Sequence, residues 1–271
     1  RYRPTLVVVG RTPLPDPEEA PETAGLTSPQ KLKVALIDQM RRTGQPVMPA
    51  QVEAACARVL REREMRSNLA AMQQAGATVR YCQVDVRDAS ALAAAIDEIY
   101  RVHGRLDGVI HGAGIIEDKL LEDKTPESFD RVFDTKVDGA FTLSRTLRPD
   151  SLKFLVFFSS VAGRFGSRGQ GDYAAANEVL NKLAVHLDRR WPARVVAINW
   201  GPWAKTGMVS AEVERQFAQR GVQLIPPPAG RRMLDEELRY GRKGETEVVV
   251  GGGPWWTGEA PQPCTPAVAL P

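Results

Sequence analysis

Short, continuous apolar runs alternate along this chain with stretches whose apolar residues return every three or four positions, the first pattern marking strands and the second helices. Thr5-Leu6-Val7-Val8-Val9 is the first run, closed by Gly10-Arg11. After a Pro- and Glu-rich loop over 12–27, Ser28-Pro29 supplies a helix N-cap and a proline at the first helical position. Leu32, Ala35, Leu36 and Met40 then share one face until Gly44. A second helix is expected from Pro49, with Val52, Ala55, Cys56, Val59 and Leu60 inward, its pattern continuing through Leu69 and Met72 to Gly76. Strand Val79–Val86, helix Ala89–His103 and strand Leu106–His111 follow, the last closing on Gly112-Ala113-Gly114. A long helix over Thr125–Leu147, capped by Thr125, carries the stripe Phe129, Val132, Phe133, Val137, Ala140 and Phe141. Strands Phe154–Phe158, Val195–Trp200 and Glu247–Val250 and helices over Tyr173–Asn177, Ala211–Gln219 and Gly230–Tyr240 complete the pattern.

Strand and helix in alternation imply an α/β fold, a doubly wound parallel sheet. Four strands end in glycine or small polar residues, at Gly10-Arg11, Gly112-Ala113-Gly114, Ser159-Ser160 and Gly201-Pro202. Open sheets of this kind bind ligands at the carboxyl ends of their strands, where glycine lets a ligand approach the backbone closely.

Composition narrows the classes. A chain of 271 residues with a formal net charge of +3 carries no strong electrostatic lure for a polyanion, and no basic block interleaved with aromatics suggests nucleic acid. Cys56, Cys82 and Cys264 are scattered without metal-ligand or disulfide spacing, as expected of a cytoplasmic protein. No stretch reads as a membrane span. The Pro/Ala-rich tail 257–271 reads as an interdomain linker.

Candidate chemistry concentrates in Phe154–Asn177, FLVFFSSVAGRFGSRGQGDYAAAN. Ser160 falls at a strand end and Tyr173 in the first turn of the next helix, a pair suited to polarising and protonating a carbonyl. Asn177 lies one turn after Tyr173 on the same face. Lys136 stands within the apolar stripe of the long helix, and a buried lysine without a partner is costly. Its ammonium is therefore expected either to snorkel to water or to meet a group that needs a cation.

These residues carry a resemblance. The chain resembles the short-chain dehydrogenase/reductase superfamily, and more closely the ketoreductase domain of a type I polyketide or fatty-acid synthase. In that family a serine stands thirteen positions before the catalytic tyrosine, as Ser160 stands before Tyr173. Synthase ketoreductases have Asn four residues after the tyrosine, here Asn177. They draw the lysine from the preceding helix in a K-V-x-G-A context, here Lys136-Val137-Asp138-Gly139-Ala140. His111-Gly112-Ala113-Gly114 and Asn199-Trp200-Gly201-Pro202-Trp203 are similar to further signatures.

The resemblance implies NADPH-dependent reduction of a β-ketoacyl group, borne by phosphopantetheine on an acyl carrier protein, beside neighbouring synthase domains. Tyr173 is then the acid, Ser160 the carbonyl hydrogen-bond donor, and Asn177 the holder of Lys136 or a relay water. Lys136 is expected to pull the tyrosine down from its ordinary pKa of about 10. Gly10 and Arg11 imply the 2′-phosphate end of NADPH, Asp85 and Val86 the adenine, Gly112, Ala113 and Gly114 the ribose, and Gly201 and Pro202 the nicotinamide. Asp118, Phe165 and Trp203 occupy positions tied to substrate and stereocontrol. Asp118 ends an L-D-D-like motif and Phe165 replaces a tryptophan of the opposite type, which implies the D-type alcohol.

Two departures stand out. The family's opening strand and Gly-rich turn are expected ahead of Val7, and only six residues stand there, so a catalytic domain over 1–256 is expected to lack its N-terminal βα unit. The strands ending at Gly10 and His111 then have edges that the absent strand would have paired. Residues 12 to about 66 form a helical insertion. Alternatives kept at this point are a catalytically incompetent docking module and a free-standing reductase of small ketones.

Overall fold

The computed structural model describes residues 3–204 and 211–255; the expected linker 257–271 and Cys264 lie outside the described residues. The chain divides between Asp85 and Val86 into two compact units. All named strand pairs are parallel, and flanking helices complete a Rossmann-like α/β fold. The strands form two hydrogen-bonded sheets. Among the described residues neither the strand ending at Gly10 nor the strand ending at His111 has a second strand neighbour, so each sheet ends there.

The first unit holds β1 (Thr5–Gly10), α1 (Pro29–Arg42), α2 (Pro49–Gln74) and β2 (Thr78–Gln83). β1 and β2 pair from Thr5↔Thr78 to Gly10↔Gln83. The two helices pack on each other through Leu32, Leu36, Cys56 and Val59, a small core of their own. Ser28 stands at the N-cap of α1 but its hydroxyl makes no capping bond; Pro29, whose fixed φ suits the first helical position, starts the helix instead. α2 runs unbroken for 26 residues and packs against β2. The Pro/Glu-rich loop is tied down by Arg63, which donates to both Glu19 carboxylate oxygens at 2.7 and 2.8 Å and to the carbonyls of Thr23 and Leu26.

The second unit carries α3 (Ala89–His103), β3 (Gly108–His111), α4 (Pro126–Thr146), β4 (Phe154–Ser160), α5 (Val161–Phe165), α6 (Gly171–Asp188), β5 (Arg194–Trp200), α7 (Ala211–Gln219), α8 (Pro227–Tyr240) and β6 (Glu247–Val250). Its strands lie in the order β3-β4-β5-β6. Leu155, Val156 and Phe157 of β4 and Val195, Val196 and Ile198 of β5 are fully buried; each such side chain contributes about 1.5–3 kcal/mol by leaving water. Continuous apolar runs are what a strand needs when both of its faces are covered. At the sheet's end β3 leaves Ile110 46% exposed.

Helix starts follow local chemistry. Asp88 caps α3, accepting from Ala91 N at 2.9 Å, and Thr125 caps α4, accepting from Ser128 N at 3.3 Å. α8 begins at Pro227 rather than at Gly230, since prolines are tolerated in a first turn whose N–H groups lack intrahelical partners. The expected loop after β4 contains the short helix α5, and β2 ends at Gln83, leaving Asp85 and Val86 beyond the strand.

Candidate active site

The register of the second sheet sets the site. β4 and β5 pair through Ser159↔Asn199 and Ser160↔Trp200, so both strands end together. Ser160 is the last residue of β4 and also the N-cap of α5, its Oγ accepting from Ala162 N at 3.2 Å. One strand position earlier, Ser159 Oγ donates to Asn199 Oδ1 at 3.1 Å and contacts the Asn177 carbonyl at 3.2 Å. These bonds hold the C-terminal end of β4 against α6. Gly163 permits the same approach from α5, since a Cβ there would stand 2.7 Å from the Asn177 Cβ and 3.0 Å from its carbonyl carbon.

α6 begins at Gly171 and carries Tyr173 in its first turn. Burial pushes the Tyr173 phenol up, hydrogen bonds from the Ser160 and Asn177 side chains pull it back in part, and the charge of Asp118 raises it further. Lys136 is the cation expected to pull the tyrosine down, and burial leaves the phenol raised on balance. The Lys136 Nζ lies 5.5 Å from the Tyr173 ring centroid, and desolvation of the phenolate outweighs the opposing influences. The phenol is therefore held protonated, the state required of a proton donor.

Lys136 settles the question raised by its place in an apolar stripe. It is 4% exposed, does not snorkel, and donates to the Phe158 carbonyl at 2.9 Å. Burial lowers its pKa from 10.5 to about 8. Gly114 makes room for the stem, because a Cβ at that position would meet the Lys136 Cε at 2.9 Å. The last residue of the β3 run, His111, supports the same lysine from behind. Its Nε2 lies 2.8 Å from the Lys136 carbonyl oxygen, which accepts the bond. Burial holds His111 at a pKa of about 4, so the ring is neutral at ordinary pH. Sequence reasoning assigned His111 only to a motif; its value as a support became visible when the fold placed it against α4.

Asn177, the expected holder of Lys136 or a relay water, lies one turn after Tyr173 on α6. Its Nδ2 donates back to the Tyr173 carbonyl at 2.7 Å rather than to Lys136, and its buried Oδ1 has no partner among the described residues. Spacing of four on a helix places an amide within reach of that carbonyl, and this local bond wins. Trp203 packs against Trp200 with ring centroids 5.0 Å apart and fills the space over Gly230; it belongs to the apolar cluster of β5 and α8. Both oxygens of Asp118 accept from Gln170 Nε2 at 3.1 Å, and Phe165 closes α5 half-buried.

The cofactor-side residues divide between the units. Arg11 follows β1 in the first unit with its side chain exposed, and its carbonyl accepts from Gln83 Nε2 at 3.3 Å. Gly10 is packed under Tyr81, whose hydroxyl would stand 2.7 Å from any Cβ there. Asp85 ends the first unit and Val86 opens the second, where Val86 lies against Gly139 of α4. Gly112, Ala113 and Gly114 follow β3. Gly201 follows β5 and donates to the Val250 carbonyl at 2.7 Å, and Pro202 accepts from Ile225 N at 2.8 Å. Fit to a nicotinamide cofactor rests on donor chemistry: a buried ammonium, a protonated phenol and a serine hydroxyl converge where β4 ends, beside an orphaned amide oxygen.

A parallel α/β sheet bearing a serine at a strand end, a tyrosine on the next helix and a buried lysine beside it defines a Rossmann-like protein of the short-chain dehydrogenase/reductase type. A family model, KR domain, matches residues 3–205, and the chain belongs to that family. It is 37% identical over 213 residues to a polyunsaturated fatty acid synthase polypeptide of Thraustochytrium sp. (strain ATCC 26185 / S-3), covering 76% of this chain and 8% of that protein. It is 40% identical over 177 residues to polyketide synthase GfsB of Streptomyces halstedii, covering 63% of this chain and 3% of that one. Among solved structures, the ketoreductase PlmKR1 from the first module of phoslactomycin biosynthesis in Streptomyces sp. HK803 superposes with a TM-score of 0.64 at 31% identity, over 70% of this chain and 43% of its own. The chain thus spans less than a tenth of the curated relatives described and under half of that structure. No helix among the described residues is long and apolar enough to cross a membrane.

Proposed function

We propose that this domain reduces a β-ketoacyl thioester, carried on the phosphopantetheine arm of an acyl carrier protein, to the β-hydroxyacyl form with NADPH, as one domain of a multidomain polyketide or fatty-acid synthase. The observation that carries the reading is the buried Lys136 ammonium, delivered by α4 to within 5.5 Å of the Tyr173 ring on α6. No packing need explains an unpaired cation there. When bound, NADPH supplies the hydride that adds to the ketone carbon.

The protein's own residues manage the oxygen. Ser160 donates a hydrogen bond to the ketone oxygen, where negative charge develops as the carbonyl is reduced. Tyr173 transfers its hydroxyl proton to that oxygen, giving the alcohol and leaving a tyrosinate. The Lys136 ammonium stabilises that tyrosinate across a low-dielectric site, where a charge acts more strongly than in water. Asn177 holds the first turn of α6 through its bond to the Tyr173 carbonyl. Gly112, Ala113, Gly114, Gly201 and Pro202 are proposed to line the ribose and nicotinamide, Asp85 and Val86 the adenine, and Arg11, with Gly10 before it, the 2′-phosphate. Asp118 and Phe165 support the D-type product.

Tyr173→Phe in the full-length protein tests the reading. Ketone-dependent NADPH oxidation should fall by roughly 10²–10⁴-fold, the usual worth of a general acid, while NADPH affinity stays near that of the wild type. Retention of more than about a tenth of the rate would show that another group supplies the proton.

A further inference from the structure

A second lysine, outside the proton-transfer set, is also buried. Lys124 and Asp172 form an ion pair in which each side chain is only 2% exposed. The Lys124 ammonium donates also to the Glu117 carbonyl at 2.6 Å, and the other Asp172 oxygen accepts from Tyr173 N at 2.8 Å. Lys124 directly precedes Thr125, the cap of α4. Asp172 directly precedes Tyr173. The pair therefore clamps together the beginnings of the two helices that deliver Lys136 and Tyr173.

Neighbouring bonds extend the clamp. Glu117 is held on α4 by Arg131 at 2.8 and 2.9 Å and by Ser128 at 2.8 Å. Lys119 N donates to the Gly169 carbonyl at 2.9 Å, and Gln170 reaches Asp118. The segment around Asp118 is thereby fastened to the approach of α6 at several points, with Lys124 and Asp172 at its centre.

Stability alone does not account for such a pair. Desolvation of two buried charges roughly cancels their attraction, and neutral partners of similar volume are often equally stable. What an ion pair provides that an apolar contact lacks is one fixed geometry. We propose that Lys124 and Asp172 are positioning residues for the reduction, holding Tyr173 in register with Ser160 and Lys136 and fixing the Asp118 segment beside it. This rests on the assignment of Tyr173 as proton donor.

The test is the double variant K124M/D172N in the full-length protein, which removes both charges while Asn keeps an acceptor for Tyr173 N. Its melting temperature and NADPH affinity should match the wild type, while kcat falls by roughly 100-fold, the cost of misplacing a reacting group by about 1 Å. The proportion of the minor alcohol isomer should rise as well. A purely structural role predicts the reverse, with kcat and isomer ratio unchanged wherever folding is unchanged, and that result overturns the proposal. Should the double variant fail to fold, D172E keeps the pair and lengthens it by one methylene. A folded D172E should lose roughly tenfold or more in kcat, and wild-type kcat with a wild-type isomer ratio would overturn the proposal. Tyr173→Phe measured alongside separates the two ideas. An active Tyr173→Phe defeats the proton-donor assignment, whereas an inactive one beside an unimpaired K124M/D172N or D172E defeats only the positioning role.

Discussion

Replacing Lys136 by methionine should expose how much stability the site gives up for its cation. An ordinary lysine titrates at 10.5 and Lys136 at about 8, with burial as the cause. At about 1.4 kcal/mol per pH unit, keeping that ammonium charged in the fold costs about 3 kcal/mol. Below about pH 8 the lysine is protonated in both folded and unfolded chains, so the cost is fully present and constant. Between about 8 and 10.5 the unfolded chain keeps the proton that the folded one has released. The unfolded state then binds more protons, and this group's contribution to stability rises with pH. Above 10.5 both states are neutral and the cost is gone. The K136M variant has no such dependence. Urea unfolding of the two proteins, compared at about pH 7 and again at about pH 10.5, should therefore show the wild type gaining about 3 kcal/mol relative to K136M. The lost bond to the Phe158 carbonyl shifts both comparisons equally and cancels in the difference. A pH-independent gap, or one moving in the opposite direction, would refute the burial of an unpaired ammonium. In activity the variant should lose most of its rate at every pH, because the tyrosinate has no counter-charge.

Other expectations follow from the cofactor and substrate assignments. Arg11→Ala should weaken binding of NADPH far more than that of NADH, since only NADPH carries the 2′-phosphate a guanidinium grips; equal losses in titrations with both would remove Arg11 from that role. Chiral chromatography of the product from a β-ketoacyl thioester should show mainly the D isomer, in keeping with Asp118 and Phe165, and a predominance of the L isomer would overturn that assignment.

Much of the fold was legible because periodicity reports burial. β4 and β5 read as continuous apolar runs and are covered on both faces, and the stripe of α4 foretold which side of it packs inward, apart from Phe141, which is exposed. The same reasoning flagged Lys136, as a charge in an apolar stripe demands a reason. It could not tell how that charge is met, because the bond to the Phe158 carbonyl joins residues 22 apart in sequence. Ser28 shows the limit at short range: a capping residue type stands at the capping position, yet Pro29 alone suffices and the hydroxyl is not used.

Residue types and spacings by themselves determined the parallel α/β class and put Ser160 at a strand end with Tyr173 and Asn177 on the helix after it, since strand ends and helix turns dictate where such side chains emerge; that Lys136 joins them was implied by the resemblance to synthase ketoreductases. Only the tertiary structure decided their electrostatic state. Burial, which no local pattern measures, raises Tyr173 and lowers Lys136. Only the tertiary structure, too, revealed His111 behind the lysine and the Lys124–Asp172 clamp between two helix starts. Those partners lie 25 and 48 residues apart, and a contact across such a distance is made by the packing of whole elements rather than by any signal carried along the chain.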